Sequence, residues 1–510
     1  MRKNAIVMGA SSGMGREVAL LLLADGWQVG VAARRADALE QLRKQYPEQV
    51  TVAVIDVTDT AAGEQLTALA ERMGGMDLYF HASGIGKQNP NVDAEIELRT
   101  VSTNIGYLQT ILDRFNASQT KYHATIEYQG SQAEMNAKIG STAQADLPAL
   151  FSGAVENVAM YATSDFCTPL QTFIDKDTEG WPELEQTWAS IRAAYQDNEG
   201  NQIGYPTGYS YGGIFYNADL FDTAGIKAED IQSMDDLYAA CETLVKGGYC
   251  TYGIGFHPDG FYFNGVLGRE GLQAYDAGNG YDGQITKCLY TDGGTVQNTI
   301  YNMLDNYQKL YKNNLAIAWG SDYQGEIIPQ LASGDCAMLM GVVSMTTKIL
   351  NSVNGAFNVG IIPLPSATED GKRTGEPAGG TGIYICNNGN EAQQQGAYEL
   401  IKYMSTGDEA AYFSTCTGYL APNQQTYDSE VYQKYMNETF PAIKAVYASL
   451  QNSDDSANNP YIPISNEMKA ANKLCIQTIT ADPNADINAA MKVACDSIQE
   501  AIDLYNMSNG

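Results

Sequence analysis

Near the start of the chain, Gly9-Ala-Ser-Ser-Gly13-Met-Gly15 stands between an apolar run and a helical pattern. A glycine-rich turn in that position lets backbone approach a pyrophosphate, which then rests on the N-terminus of the helix that follows. Later in the chain the chemistry changes character. Beyond residue 107 there is no phosphate-loop lysine, metal-ligand cluster or nucleophile–histidine–acid set, and His123 and His257 stand alone and read as structural. That part is instead rich in tyrosine. Aromatic faces with hydroxyls and amides between them suit an oligohydroxyl ligand, whose CH faces stack while each hydroxyl finds a partner.

The elements that must position these groups follow from apolar periodicity. Asn4–Met8, Gln28–Ala33, Val50–Val57 and Met76–Ala82 are short apolar runs separated by helical patterns such as Arg16–Ala24. Strands and helices alternating at this spacing predict a parallel, doubly wound sheet. From Leu108 onward, an amphipathic helix to Asn116 precedes a strand at His123–Tyr128, and Gln129-Gly-Ser131 opens a further helix.

Composition breaks at the same place. Residues 1–106 carry 10 Lys+Arg and 13 Asp+Glu, the remainder 20 and 47, so nearly all of the net charge of −30 lies in the second part. Tyr46 and Tyr79 are the only tyrosines before residue 107, against 31 from Tyr107 onward, and all nine cysteines fall at or beyond Cys167. A boundary is therefore expected near Asn104–Leu108, dividing the chain into residues 1–105 and 106–510. The negative charge argues against nucleic acid and anionic membrane as partners. No stretch approaches the ~18 apolar residues of a membrane span, and Ala5–Ala10 is too short for a signal peptide's apolar region; as written, the chain is expected in the cytoplasm. Nine cysteines without a Cys-x-x-Cys pair fit neither a disulfide framework nor zinc. Cys241/Cys250 and Cys475/Cys495 could pair on export, but buried thiols are the expectation.

The Gly-xxx-Gly-x-Gly spacing, Asp56 after the third strand and His81-Ala-Ser-Gly84 after the fourth together resemble the short-chain dehydrogenase/reductase family over residues 1–105. The resemblance implies a truncated Rossmann-type sheet in which Gly9, Ser11, Ser12, Gly13 and Gly15 hold a pyrophosphate while Asp56 and Val57 border the adenine. The second strand ends in Arg34 and Arg35 rather than a ribose-binding acid, which suits a 2′-phosphate and so NADP(H) as cofactor. Asn104 matches the asparagine of the family's catalytic tetrad. The family's Ser and Tyr-x-x-x-Lys do not follow; Tyr398/Lys402 alone has the spacing, about 300 residues too late.

The second part carries a different set of motifs in order: Thr168-Pro-Leu170, Ile203-Gly-Tyr-Pro206, Gly213-Ile-Phe-Tyr-Asn217, Ala332-Ser-Gly-Asp-Cys-Ala-Met338, Val359-Gly-Ile-Ile-Pro-Leu-Pro365, Gly379-Gly380 and Thr417-Gly-Tyr-Leu420. Over residues 107–506 these resemble carbohydrate-type solute-binding proteins of ATP-driven importers, nearest the glycerol-3-phosphate-binding branch. The resemblance implies two α/β lobes closing over ligand by a hinge, a sugar or polyol ligand, no cofactor in this part, permease subunits as partners, a monomer, and a normal station outside the cytoplasm. Its pocket maps onto Tyr209, Ser210, Phe261, Tyr262, Ser344, Gly380 and Tyr419, with Lys469 where phosphate-binding relatives carry an arginine and Gln132 where they carry an aromatic. A lysine is a point charge rather than a bidentate fork, which favours a neutral sugar over a phosphorylated glycerol. The family's short first strand is expected to be missing, with Met76–Ala82 the available substitute.

Three readings stay open on sequence: a solute-binding protein with a dehydrogenase-like passenger, an NADP-dependent oxidoreductase with a sensor, and a joined sequence without one function. They differ on catalysis. Positioned acid–base groups supply roughly 10²–10⁴-fold in rate, so without the Ser and Tyr-x-x-x-Lys we predict no NADPH oxidation across a panel of ketones. Turnover abolished by Gly13→Trp would overturn this.

Overall fold

The computed structural model describes all residues except 1–2, 12, 58, 60, 83–91, 257–258, 318–322, 369–370, 372–374, 452–457 and 510. Ser12 and His257 therefore lie outside the described residues. The chain divides into two compact units, Met1–Asn89 and Pro90–Gly510.

In the first unit, strands β1 (Asn4–Met8), β2 (Gln28–Ala33), β3 (Val50–Val54) and β4 (Leu78–His81) form a parallel sheet in the order β3-β2-β1-β4. β1 is central, and its residues feed two cores. Val7 packs with Ala19, Leu23, Leu39 and Leu42 on one face, while Ile6 and Met8 pack with Ile55 and Leu69 on the other. A parallel sheet needs both faces covered, and this one has helices to do it: Gly13–Ala24, Ala36–Gln45 and Ala62–Arg72. Leu78 and Tyr79 on edge strand β4 stay 38% and 40% exposed.

The second unit has two sheets. One takes β6 (Tyr122–Tyr128), β5 (Ala94–Thr100), β7 (Leu150–Ala154), β15 (Gly379–Cys386) and β8 (Cys167–Thr168) in that order, with β9 (Tyr205–Ser210) also paired to β15. The other runs β12 (Ala316–Ile317), β11 (Tyr252–Phe256), β13 (Cys336–Val342), β10 (Gly212–Asn217), β14 (Val359–Pro363). Each sheet anchors a lobe. The chain passes from the first sheet to the second through Tyr211 alone, between β9 and β10, and returns through residues 364–378, between β14 and β15.

Two expectations are corrected here. The first strand of the second unit is present: Ala94–Thr100 runs parallel to β6 over Ala94↔Tyr122 to Thr100↔Tyr128 and to β7 at Leu98↔Leu150 and Arg99↔Phe151. Its sequence alternates strictly. Ala94, Ile96, Leu98 and Thr100 are buried while Glu95, Glu97 and Arg99 are only partly so, the period of a strand with one face on a core. The unit boundary accordingly falls at Asn89/Pro90, ahead of the compositional step near Asn104–Leu108. Met76–Ala82 is not the substitute strand, because Leu78–His81 pairs with β1 of its own unit.

Local signals account for other elements. Helix Gln132–Ser141 starts on a capping box, Ser131 accepting from the Glu134 amide while the Glu134 carboxylate accepts from Ser131 N, which satisfies otherwise orphaned amides. Tyr398 and Lys402 lie on helix Glu391–Ser405 and both donate to Asp177 Oδ2, at 2.8 and 2.5 Å. The late Tyr-x-x-x-Lys spacing is thus a structural clamp on one carboxylate. His123 Nδ1 lies 2.7 Å from Glu95 Oε2 across β5 and β6.

If β5 belongs to the second unit, amides 94–100 should share the slow hydrogen exchange of 122–128, and Leu98→Ala should destabilise that unit by about 2–5 kcal/mol. Exchange of 94–100 as early as an unpaired terminus, or an unchanged urea midpoint in Leu98→Ala, would contradict the assignment.

Candidate functional site

In the first unit the glycine turn has the expected form. Gly9 and Gly13 take φ of 88° and 57°, and Gly15 packs so closely that an added Cβ would lie 2.4 Å from the Gly9 carbonyl oxygen. Only glycine fits that approach. Arg35 reaches across to the turn, its Nε and guanidinium nitrogen donating to Ser11 Oγ at 3.3 and 3.2 Å. Backbone, helix N-terminus and guanidinium together suit the phosphate end of a dinucleotide. Arg34 stands beside Arg35 at the end of β2, and Asp56 and Val57 follow β3, Val57 39% exposed.

Asn104 belongs to the second unit, where it precedes helix Ile105–Ser118, its carbonyl accepting from Tyr107 N at 3.0 Å and its amide donating to Ser102 Oγ at 3.2 Å. A bound nicotinamide cofactor would supply hydride chemistry; among the described residues the glycine turn and Arg35 fit its phosphate end.

In the second unit a cavity of about 220 Å³ opens between the lobes. Its walls include Ser210, Phe261, Tyr262, Ser344, Gly380, Tyr419 and Lys469, seven of the eight positions expected from sequence. Strand alternation explains the eighth. Ser210 and Tyr209 are neighbours on β9, so they point to opposite faces, and Tyr209 is buried edge-on against Tyr211. Tyr209 is a core residue rather than part of the pocket wall, which corrects the expectation from the family motif.

Each wall residue has a local reason for its place. Phe261 and Tyr262 open helix Phe261–Arg269, where Asp259 Oδ1 accepts from Phe261 N at 2.9 Å. Tyr419 stacks on Phe413 at 5.9 Å and 10°. Ser210 Oγ accepts from Ser344 N at 3.1 Å, joining the end of β9 to the turn after β13. Gly380 has φ of 113°, and a Cβ there would lie 2.0 Å from the Gly208 carbonyl oxygen; close pairing of β15 with β9 requires glycine. Gln132, rather than facing ligand, accepts from Ala154 N at 2.8 Å and braces the end of β7.

Sequence reasoning missed Glu156 and Asp259, which also line the cavity. Glu156 is decisive for charge. Its Oε1 lies 3.0 Å from Lys469 Nζ, and the neighbouring Asn157 Oδ1 accepts from Ser465 Oγ at 2.5 Å. Glu156 follows β7 of one lobe, and Lys469 belongs to helix Ser465–Ala481, packed in the core of the other. The ion pair therefore bridges the cleft, and Glu156 holds the lysine above its ordinary pKa. An acid directly after an apolar strand was the available signal, and single carboxylates are too common for it to stand out. A larger depression of about 790 Å³ around Gly271–Asp282 shares no wall residue with this cleft.

The sequence that defines bacterial extracellular solute-binding proteins matches residues 110–441, and the chain belongs to that family. The short chain dehydrogenase pattern matches residues 3–110. An uncharacterized oxidoreductase of Mycobacterium tuberculosis is 32% identical over 127 residues, 22% of this chain and 50% of that protein. The chain thus spans about half the length of the curated relatives it matches. Among solved structures, the GacH receptor of Streptomyces glaucescens, studied with acarbose, is 18% identical with a TM-score of 0.65, covering 81% of this chain and 100% of the other. The sugar-binding protein MalE of Xanthomonas citri is 14% identical with a TM-score of 0.66, covering 81% and 98%. UgpB of Mycobacterium tuberculosis, in complex with glycerophosphocholine, is 18% identical with a TM-score of 0.63, covering 81% and 99%. Residues 90–110 resemble one family in sequence and build the other's fold.

A buried acid sits where the lobes join. Glu376 Oε1 accepts from Leu364 N at 3.3 Å, on the returning link, and Gly212 N, the first residue of β10, also donates to the carboxylate. Burial pushes its pKa up to about 8, against the opposing pull of Arg269 and these amides. The folded chain therefore keeps a proton that the unfolded chain loses near 4.5, so stability should fall as pH rises from about 4.5 to about 8, by at most about 1.4 kcal/mol per unit. Glu376→Gln should flatten that fall in urea titrations; an unchanged pH slope would refute it.

Proposed function

We propose that the second unit receives a neutral mono- or oligosaccharide, or a related polyol, between its lobes and presents it to the permease of an ATP-driven importer, without chemistry on the ligand. The observation that carries this reading is the composition of the cleft. Phe261 and Tyr262 from one lobe and Tyr419 from the other offer ring faces, while Ser210, Ser344, Glu156 and Asp259 offer hydroxyls and acceptors. A cavity of about 220 Å³, below the roughly 300–1,000 Å³ of drug-sized sites, suits a short ligand. The acarbose complex of the GacH receptor and the description of MalE as a sugar-binding protein support the same class.

A glycerophosphodiester is the second reading, favoured by Lys469 and by the UgpB complex. Against it, Lys469 is already paired with Glu156, so a phosphate would meet a cation whose charge is matched and a carboxylate beside it. In the first unit, the glycine turn and Arg35 support NADP(H) phosphate binding without turnover. Delivery to a permease implies that the binding unit works on the outer side of the membrane.

Calorimetric titration of the full chain against sugars, polyols and glycerophosphodiesters tests the assignment. Tyr419→Ala or Phe261→Ala should weaken sugar binding roughly tenfold to a hundredfold, the effect of truncating a buried stacked aromatic. Absence of heat with every ligand from a well-folded chain would refute a binding role. Glycerophosphodiester binding lost in Lys469→Met would move the ligand to the phosphate class.

A further inference from the structure

Residues 284–291 are fastened along one face of the C-terminal helix Ile487–Asn509. Gln284 Nε2 donates to Asn506 Oδ1 at 2.7 Å, and Asn506 Nδ2 to the Ile285 carbonyl at 2.9 Å. One turn and more earlier, Gln499 Nε2 donates to the Thr286 carbonyl at 2.8 Å while its Oε1 accepts from Cys288 N at 3.0 Å. At the next position along that face stands Cys495. Its Sγ accepts from Thr291 Oγ1 at 3.5 Å and lies 3.8 Å from the Cys288 carbonyl oxygen. The sulfur of Cys495 thus lies against the backbone of Cys288, both residues are buried, and Cys288 is held from its other side by a bridge to Tyr275.

From this geometry we propose that Cys288 and Cys495 form a redox-active dithiol, closed to a disulfide by exchange with a small-molecule or protein disulfide. Both cysteines are free in the structure, which is the reduced state. Cys495 is the nucleophile. The neighbouring Cys288 thiol holds its pKa below the ordinary thiol value and has its own raised in turn, and the thiolate is the attacking form. Cys495 S⁻ attacks one sulfur of the donor disulfide, forming a mixed disulfide and expelling one donor thiolate. Cys288 then loses its proton to solvent and attacks the Cys495 sulfur, expelling the second. The protein's two thiols are oxidised and the donor disulfide is reduced to two thiols. Burial of both cysteines means that the exchange proceeds through local opening of the helix. The pairing differs from the Cys475/Cys495 alternative: Cys475 lines the groove between helices Ser465–Ala481 and Ile487–Asn509, whose walls do not include Cys495.

The bond would close a 207-residue separation and so restrict the unfolded chain. Its test is to equilibrate the native full chain with oxidised glutathione, alkylate the remaining thiols, digest without reduction and map linked peptides by mass spectrometry. The expected result is one linked pair, Cys288 with Cys495, and a melting temperature higher than that of the reduced chain. The rise should vanish in Cys495→Ser and in Cys288→Ala, each checked by far-UV circular dichroism. A linked Cys475–Cys495 pair, or all nine cysteines alkylated after oxidation, would overturn the proposal on the wild-type chain alone.

Discussion

Backbone amides and carbonyls of β6 and β7 face each other across the width of one strand, and buried groups of that kind must be paired. Ala94–Thr100 pairs them, parallel on both sides. Much of the cleft rests on that insertion. β7 runs directly into Glu156 and Asn157, which reach the opposite lobe, and β15 lies against β7 and carries Gly379 and Gly380 at its start. Ile96 and Leu98 also enter the core beneath helices Ile105–Ser118 and Glu391–Ser405. A gap at β5 would leave β6 unpaired and β7 with one open edge, and the wall of the cleft less supported.

Polar contacts cross the cleft where Glu156 meets Lys469 and Asn157 meets Ser465, while Glu376 grips Leu364 and Gly212 where the lobes join. Behind the cleft the two sheets share an apolar core, in which Phe151 and Tyr384 of one cluster with Phe215, Leu339 and Ile361 of the other. The ion pair, with Lys469 42% and Glu156 16% exposed in their side chains, adds little to stability on the exposed side and matches one positive charge of the cleft with one negative.

The strands of the first unit were legible because each combined an apolar run with a turn signal, and the ordered motifs of the second unit carried the two-lobe fold. Seven cleft positions were legible for the same reason. Tyr209 was misread because motif matching ignores the strand period, which sends neighbours Tyr209 and Ser210 to opposite faces. Glu156 was missed because its partner is 313 positions away, and only the closed geometry joins them. The partner of Cys495 was illegible in the same way. Cys475 is nearer in sequence, but the hydrogen-bonded row along the last helix selects Cys288.

The segment 92–110 shows how differently a fold and a reaction constrain sequence. By sequence it lies within the dehydrogenase pattern, which runs to residue 110, yet it supplies a strand and the start of a helix to the solute-binding unit. A strand in such a slot asks only for alternation and compatible volume: Ala94, Ile96, Leu98 and Thr100 inward, charges outward. Many sequences meet that demand. A catalytic tetrad asks for particular groups at particular distances, and no alternation of apolar residues replaces a tyrosine poised beside a lysine. Asn104 illustrates the difference: the residue that the dehydrogenase family uses for chemistry here serves as the start of a helix.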